Sequence, residues 1–263
     1  MSVLQSLTRI SICVATLSLS VTGCAISESG YKESQVESAF ENRPFVLTRP
    51  TGEVKGVLFY LHGASVKPWE ETEGRVGVRK FAESKGYVVV QPTGDISCST
   101  LGIKGAGERL CWNLRDISGE MVFLGRLVDH LEEVSDGRFE TRAILGYSNG
   151  GYLLGGALQR GLGGAWDKVG IIAGGALGAG VALKSPGPEV HIEIGTNDRW
   201  QLLPSRRLRD AIGQVQPTPV YRETSDGHDL SEKRVHSFLT WWLESLEGEP
   251  GKIEPGQSLS PPQ

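Results

Sequence analysis

Along the chain, short continuous apolar runs alternate with segments whose apolar residues recur every three or four positions. Val57-Leu58-Phe59-Tyr60-Leu61 is one such run, and it reads as a strand buried on both faces of a sheet. Gly63 breaks it. A helical segment carrying Val76, Val78 and Phe81 then stops at Gly86, and Tyr87-Val88-Val89-Val90 is the next strand, stopped by Pro92. Phe123, Leu124, Leu127, Val128, Leu131 and Val134 form a stripe of threes and fours that predicts a helix over 121–134. Ala143-Ile144-Leu145 reads as a strand and 150–158 as a helix of small residues. Residues 169–172, 190–194 and 220–223 are further strands, and 233–246 is a closing amphipathic helix with Trp241 or Trp242 in the core. Strand alternating with helix predicts an α/β domain: a mostly parallel central sheet with helices on both faces.

Two segments fit this scheme poorly. Residues 91–119 are long, polar and contain Cys98 and Cys111; loops of that length in a compact domain are usually functional or mobile. Residues 155–180 are dense in Gly and Ala, which suits either a close approach of helix to sheet or a flexible rim.

The ends lie outside the pattern. Residues 1–9 finish in one cation, Arg9, and 10–21 are apolar and small without charge. That run is shorter than the roughly 20 residues a membrane span needs and suits a secretory signal. It ends in Val21-Thr22-Gly23-Cys24, which resembles the lipobox of bacterial lipoproteins. The resemblance implies removal of 1–23 and acylation of Cys24; the alternative is an ordinary secretory signal cut nearby. Residues 24–39 then read as a polar tether, 40–246 as a single folded domain, and 247–263, rich in Pro, Gly, Ser and charge, as a disordered tail. Export leaves Cys98 and Cys111 as the mature thiols, expected to pair in an oxidising compartment; the alternative is two separate buried thiols. Composition adds little else. The chain is 39% apolar, enough for a real core, and its net charge of −4 carries no basic excess, so no nucleic-acid partner is expected.

Gly146-Tyr147-Ser148-Asn149-Gly150 matches the pattern G-x-S-x-G, in which a serine stands on a sharp strand-to-helix turn. With 35 glycines in 263 residues, on the order of 0.4 chance matches are expected, so context must decide. The strand before and the helix after Ser148 supply the required setting. A serine hydroxyl needs a base beside it. Downstream histidines are His191, His228 and His236. His191 falls in or just before a strand and His236 within a helix, whereas His228 lies in a loop between the last strand and the last helix. Asp198, directly after the apolar run at 191–194, is the acid that orients the imidazole; its alternative is a helix N-cap. The oxyanion needs two aimed N–H groups: that of Asn149, and that of Ala64 in the loop after the first buried strand, with Ser65 second. His62 is read as a brace of that loop.

These residues resemble the α/β-hydrolase esterases akin to polyhydroxybutyrate depolymerases and feruloyl esterases. The match runs through Leu61-His62-Gly63, Cys111-Trp112-Asn113, the serine pentapeptide with Gly151, Gly195-Thr196-Asn197-Asp198 and Gly227-His228. The resemblance implies the α/β-hydrolase fold and a secreted carboxylic ester hydrolase without cofactor, with Ser148, Asp198 and His228 as its triad; the lipobox adds a membrane anchor, and with no dense cluster of ligand residues no metal is expected. The chain departs at Ala64-Ser65, where members often carry a cysteine or polar residue, and in the carboxylates Asp226 and Asp229 near His228. Trp112, Trp69 and Trp200 are expected to line an acyl or aryl groove, or else to pack. Two rival functions remain: a peptidase or thioesterase on the same triad, and a catalytically silent binding lipoprotein.

Overall fold

The computed structural model describes residues 35–65, 72–103, 107–135, 137–178, 187–215 and 219–244. The signal run, Cys24, Trp69 and the tail lie outside the described residues. In chain order the elements are β1 (Gln35–Phe40), β2 (Arg43–Thr48), β3 (Gly56–Leu61), α1 (Glu73–Lys85), β4 (Tyr87–Pro92), β5 (Ile96–Ser97), β6 (Leu110–Cys111), α2 (Ile117–Val134), β7 (Arg142–Tyr147), α3 (Asn149–Gln159), β8 (Lys168–Ile172), β9 (Glu189–Gly195), α4 (Leu202–Gly213), β10 (Val220–Thr224) and α5 (Glu232–Leu239). One π-helical turn, Thr240–Glu244, extends α5.

Eight strands form one sheet in the order β1-β2-β4-β3-β7-β8-β9-β10. From β4 to β10 every pairing is parallel, and β1 and β2 add an antiparallel edge. β3 is buried throughout. Its period of two sends Val57, Phe59 and Leu61 into the layer under α2, α3 and α4, and Leu58 and Tyr60 into the layer under α1 and α5. This is the mostly parallel sheet with helices on both faces that the alternation predicts. Helix starts follow ordinary capping chemistry: the side chains of Thr72, Asp116 and Ser231 accept from the N–H groups of Arg75, Gly119 and Arg234.

The structure departs from the sequence reading in several places. The tether over 24–39 is too long, because Gln35–Phe40 pairs with β2 residue for residue. Its turn is Glu41-Asn42, with φ of 51° and 65°. That is the positive-φ pair of a tight hairpin, written without the glycine that usually announces it. Residues 91–119 are not one open loop. They hold the β5–β6 hairpin, a 3₁₀ turn at Cys98–Leu101 and the start of α2. Helix α4 was missed because only Ser205, Leu208 and Ile212 are buried on it and arginines dominate the rest. The Gly- and Ala-rich stretch is a close approach: a Cβ on Gly155 would stand 2.3 Å from the Gly175 carbonyl oxygen. In the closing segment Trp242 is fully buried while Trp241 is half-buried.

Cys98 and Cys111 are bonded to each other and both are inaccessible to solvent. The bond ties the 3₁₀ turn to the hairpin strand β6. With 13 residues of separation, removing it as Cys98→Ser with Cys111→Ser should lower the unfolding free energy by about 3 kcal/mol. Urea unfolding of the oxidised proteins measures this, and superimposable curves would contradict it.

Candidate active site

β7 runs through the centre of the sheet and delivers its last residue, Tyr147, to the C-terminal edge. Ser148 then turns the chain into α3 with φ of 51° and ψ of −112°, a backbone conformation that is costly for a residue with a side chain. Ser148 N–H donates to Ile172 O of the neighbouring strand at 3.0 Å. The flanking glycines leave no alternative. A Cβ on Gly146 would stand 2.5 Å from Gly150 O, and one on Gly150 would stand 2.4 Å from Leu61 O. The hydroxyl makes no capping bond to α3 and points instead at an imidazole.

That imidazole is His228, in the loop between β10 and α5. Ser148 Oγ lies 3.0 Å from His228 Nε2. On the other side of the ring, Nδ1 lies 2.6 Å from Asp198 Oδ2. Asp198 follows β9 and is buried, while the His228 side chain is 43% exposed. The capping alternative for Asp198 is not realised, since the N-cap of α4 is Gln201 without a side-chain bond. The other two histidines stand elsewhere. His191 is buried in β9 with Nε2 2.5 Å from Glu189 Oε1, and the His236 ring packs edge-on to Phe81.

The loop after β3 presses against the serine turn. A Cβ on Gly63 would lie 3.1 Å from the Cβ of Ser148, and Gly150 N–H donates to His62 O at 3.2 Å. Among the described residues, the N–H groups of Asn149 and Ala64 have no hydrogen-bond acceptor, whereas Ser65 N–H is taken by Leu110 O at 3.2 Å. Of the two sequence choices for the second donor, only Ala64 therefore keeps an N–H to offer.

His62 holds this loop from inside. It is buried, its Nδ1–H donates to Gly63 O at 2.5 Å, and its Nε2 accepts from Gly94 N–H at 2.9 Å. Burial, helped by the positive field of Arg75, pushes its pKa down to about 4, so the ring is neutral. Trp112 completes the brace. Its indole N–H donates to His62 O at 3.0 Å and its backbone N–H to Asn149 Oδ1 at 2.6 Å. The expectation that Trp112 lines a groove is therefore corrected: it has no exposure, because its N–H serves a buried carbonyl and its ring packs beside His62 and Arg43. Trp200 is 88% exposed, two residues after Asp198. Sequence reasoning overlooked Tyr147, whose hydroxyl donates to His228 O, and the pair Glu193 and Arg234 beneath the histidine loop. A charged residue inside the apolar run of β9 was the available signal.

No protein-family model and no curated protein matches the chain. Solved structures do. A carboxylesterase from Mesorhizobium loti superposes with a TM-score of 0.65 at 17% identity, covering 81% of this chain and 99% of that one. The Bacillus cereus carboxylesterase gives 0.59 at 18%, over 77% and 94%. A dienelactone hydrolase from Anabaena variabilis gives 0.59 at 16%, over 81% and 98%. The chain has the α/β-hydrolase fold. Within an α/β-hydrolase sheet, the positions of Ser148, Asp198 and His228 at the C-terminal ends of β7, β9 and β10 converge on one edge, where ligands of open α/β sheets bind.

The neutral His62 makes stability depend on pH. Its folded pKa of about 4 lies below the ordinary value of 6.5, so unfolding takes up a proton between those limits. Its contribution is fully present above pH 6.5 and is lost as pH falls to about 4, a change of about 3 kcal/mol. The difference in unfolding free energy between wild type and His62→Gln, followed by urea titration, should shrink by that amount over this interval. Parallel curves would contradict the assignment.

Proposed function

We propose that the protein is a serine carboxylic ester hydrolase. The observation that carries this reading is the unbroken line from Ser148 Oγ through His228 Nε2 and Nδ1 to Asp198 Oδ2, at 3.0 and 2.6 Å, set on a backbone turn that lifts the serine above the sheet. Ser148 Oγ attacks the ester carbonyl while His228 Nε2 takes its proton. Asp198 holds the ring with Nδ1–H toward itself and stabilises the imidazolium that forms. The N–H groups of Asn149 and Ala64 receive the oxyanion, and the positive end of α3 adds to them. His228 returns the proton to the departing alcohol. Water, deprotonated by the same imidazole, then frees the acid from the serine ester. The neighbours named as carboxylesterases and as a dienelactone hydrolase support ester chemistry on this fold.

For the substrate we propose a polyester or an aryl ester of the feruloyl type. Support comes from the Cys111-Trp112-Asn113 segment, which carries the more specific part of the resemblance to those esterases, and from the half-exposed side chain of His228. We further propose that the protein is exported and held at a membrane by a lipid on Cys24, facing the periplasm or the cell surface. The Cys98–Cys111 bond is at home in such an oxidising compartment.

A panel of short aryl esters and the matching anilides tests the reaction. Wild type should hydrolyse the esters far faster than the anilides, and Asp198→Asn should lower kcat on esters by about 10⁴-fold. Comparable rates on anilides, or an Asp198→Asn variant within tenfold of wild type, would contradict the proposal.

A further inference from the structure

Glu193 lies in the middle of β9 with no exposure at all. A buried carboxylate is costly unless cations and hydrogen bonds surround it, and an apolar residue there would serve the core at least as well. Two guanidinium groups compensate it. Arg222 Nε donates to one carboxylate oxygen at 2.6 Å and Arg234 Nε to the other at 2.8 Å. Arg222 lies on the adjacent strand β10, but Arg234 sits in the first turn of α5, and its Nη1 serves the loop before that helix. Arg234 Nη1 donates to Gly227 O at 2.9 Å and to Asp229 O at 2.8 Å, the carbonyls on either side of His228. Asp226 Oδ2 lies 3.7 Å from Arg234 Nε. The carbonyl of His228 itself accepts from the hydroxyl of Tyr147, the residue just before Ser148. Three consecutive carbonyls of an irregular loop are thus each held by a side chain from a regular element.

We propose that Arg234 and Tyr147 are the positioning residues of His228: a two-sided clamp, anchored on Glu193, that fixes the backbone of the general base relative to Ser148 and Asp198. This rests on the reading of Ser148, His228 and Asp198 as a triad. β9 and the turn that follows it then orient the histidine twice, its ring through Asp198 and its backbone through Glu193 and Arg234. Tyr147 ties the same backbone to the strand that carries the nucleophile, so base and nucleophile keep their 3.0 Å separation as one unit. Burial pushes the Tyr147 pKa up to about 12, which keeps its hydroxyl protonated as a donor. A misplacement of about 1 Å is enough to slow a positioned reaction by about a hundredfold.

The test uses aryl-ester kinetics on the full-length protein. Tyr147→Phe, which deletes one hydroxyl, should lower kcat about tenfold, and Arg234→Met about a hundredfold, each with KM within about twofold of wild type. Tyr147→Phe should keep the melting midpoint of wild type, so this arm stands even if Arg234→Met fails to fold. In a His228→Ala background, Tyr147→Phe should cost nothing further, because a residue that acts through the histidine has no effect without it. Wild-type kcat in Tyr147→Phe, a loss confined to KM, or an undiminished further loss in the His228→Ala background would overturn the clamp. A wild type with no esterase activity would remove the triad reading itself, and the clamp with it.

Discussion

Everything in the site depends on the backbone of Ser148 being held where an L-residue resists going. Its φ of 51° and ψ of −112° cost about 1–3 kcal/mol, and the surrounding structure has to over-determine that conformation. It does so by contact rather than by flexibility. β7 is locked between β3 and β8, the N–H of Ser148 is taken by Ile172, and the start of α3 lies so close to Gly146 on one side and to the end of β3 on the other that only glycine fits at 146 and 150. With the sheet and helix fixed, the serine oxygen stands 3.0 Å from His228 Nε2.

The side of the site proposed to receive the oxyanion is built from parts that are distant in sequence. The loop after β3 is braced by the neutral His62, by Gly94 beyond β4 and by Trp112 beyond β6. The Cys98–Cys111 bond and the pairing of Ser65 with Leu110 close this assembly. Trp112 also reaches Asn149, so the two N–H groups assigned to the oxyanion share one brace. The same logic applies to the proposed base: β9 supplies Glu193 under its loop, and the turn just after β9 supplies Asp198, bonded to its ring. The site is thus assembled at the C-terminal edge by side chains reaching out of the core.

The central strands and the helices that cover them were readable from the sequence because full burial writes itself as apolar runs and three-four stripes. The edge was not. β1 exposes Val36 and turns at Glu41-Asn42, so neither its pattern nor its turn announces a hairpin. Helix α4 hides behind its arginines. For the site, the residue types of Ser148, Asp198 and His228 and their places at strand ends were readable, and the structure brings those three side chains into hydrogen-bonding distance. Trp112 was noticed but misread, since a sequence shows an aromatic ring and not the buried carbonyl its N–H will need. Glu193 and Arg234 escaped because their pairing joins a strand to a helix 41 residues away, which no local pattern records.

The central claim is that Ser148 alone carries the covalent intermediate. Reaction with a fluorophosphonate, followed by peptide mass spectrometry, tests it most directly. The account predicts a single phosphonyl adduct, on the peptide containing Ser148, that is absent from Ser148→Ala. No adduct on the wild type, or equal labelling of Ser148→Ala, would contradict it.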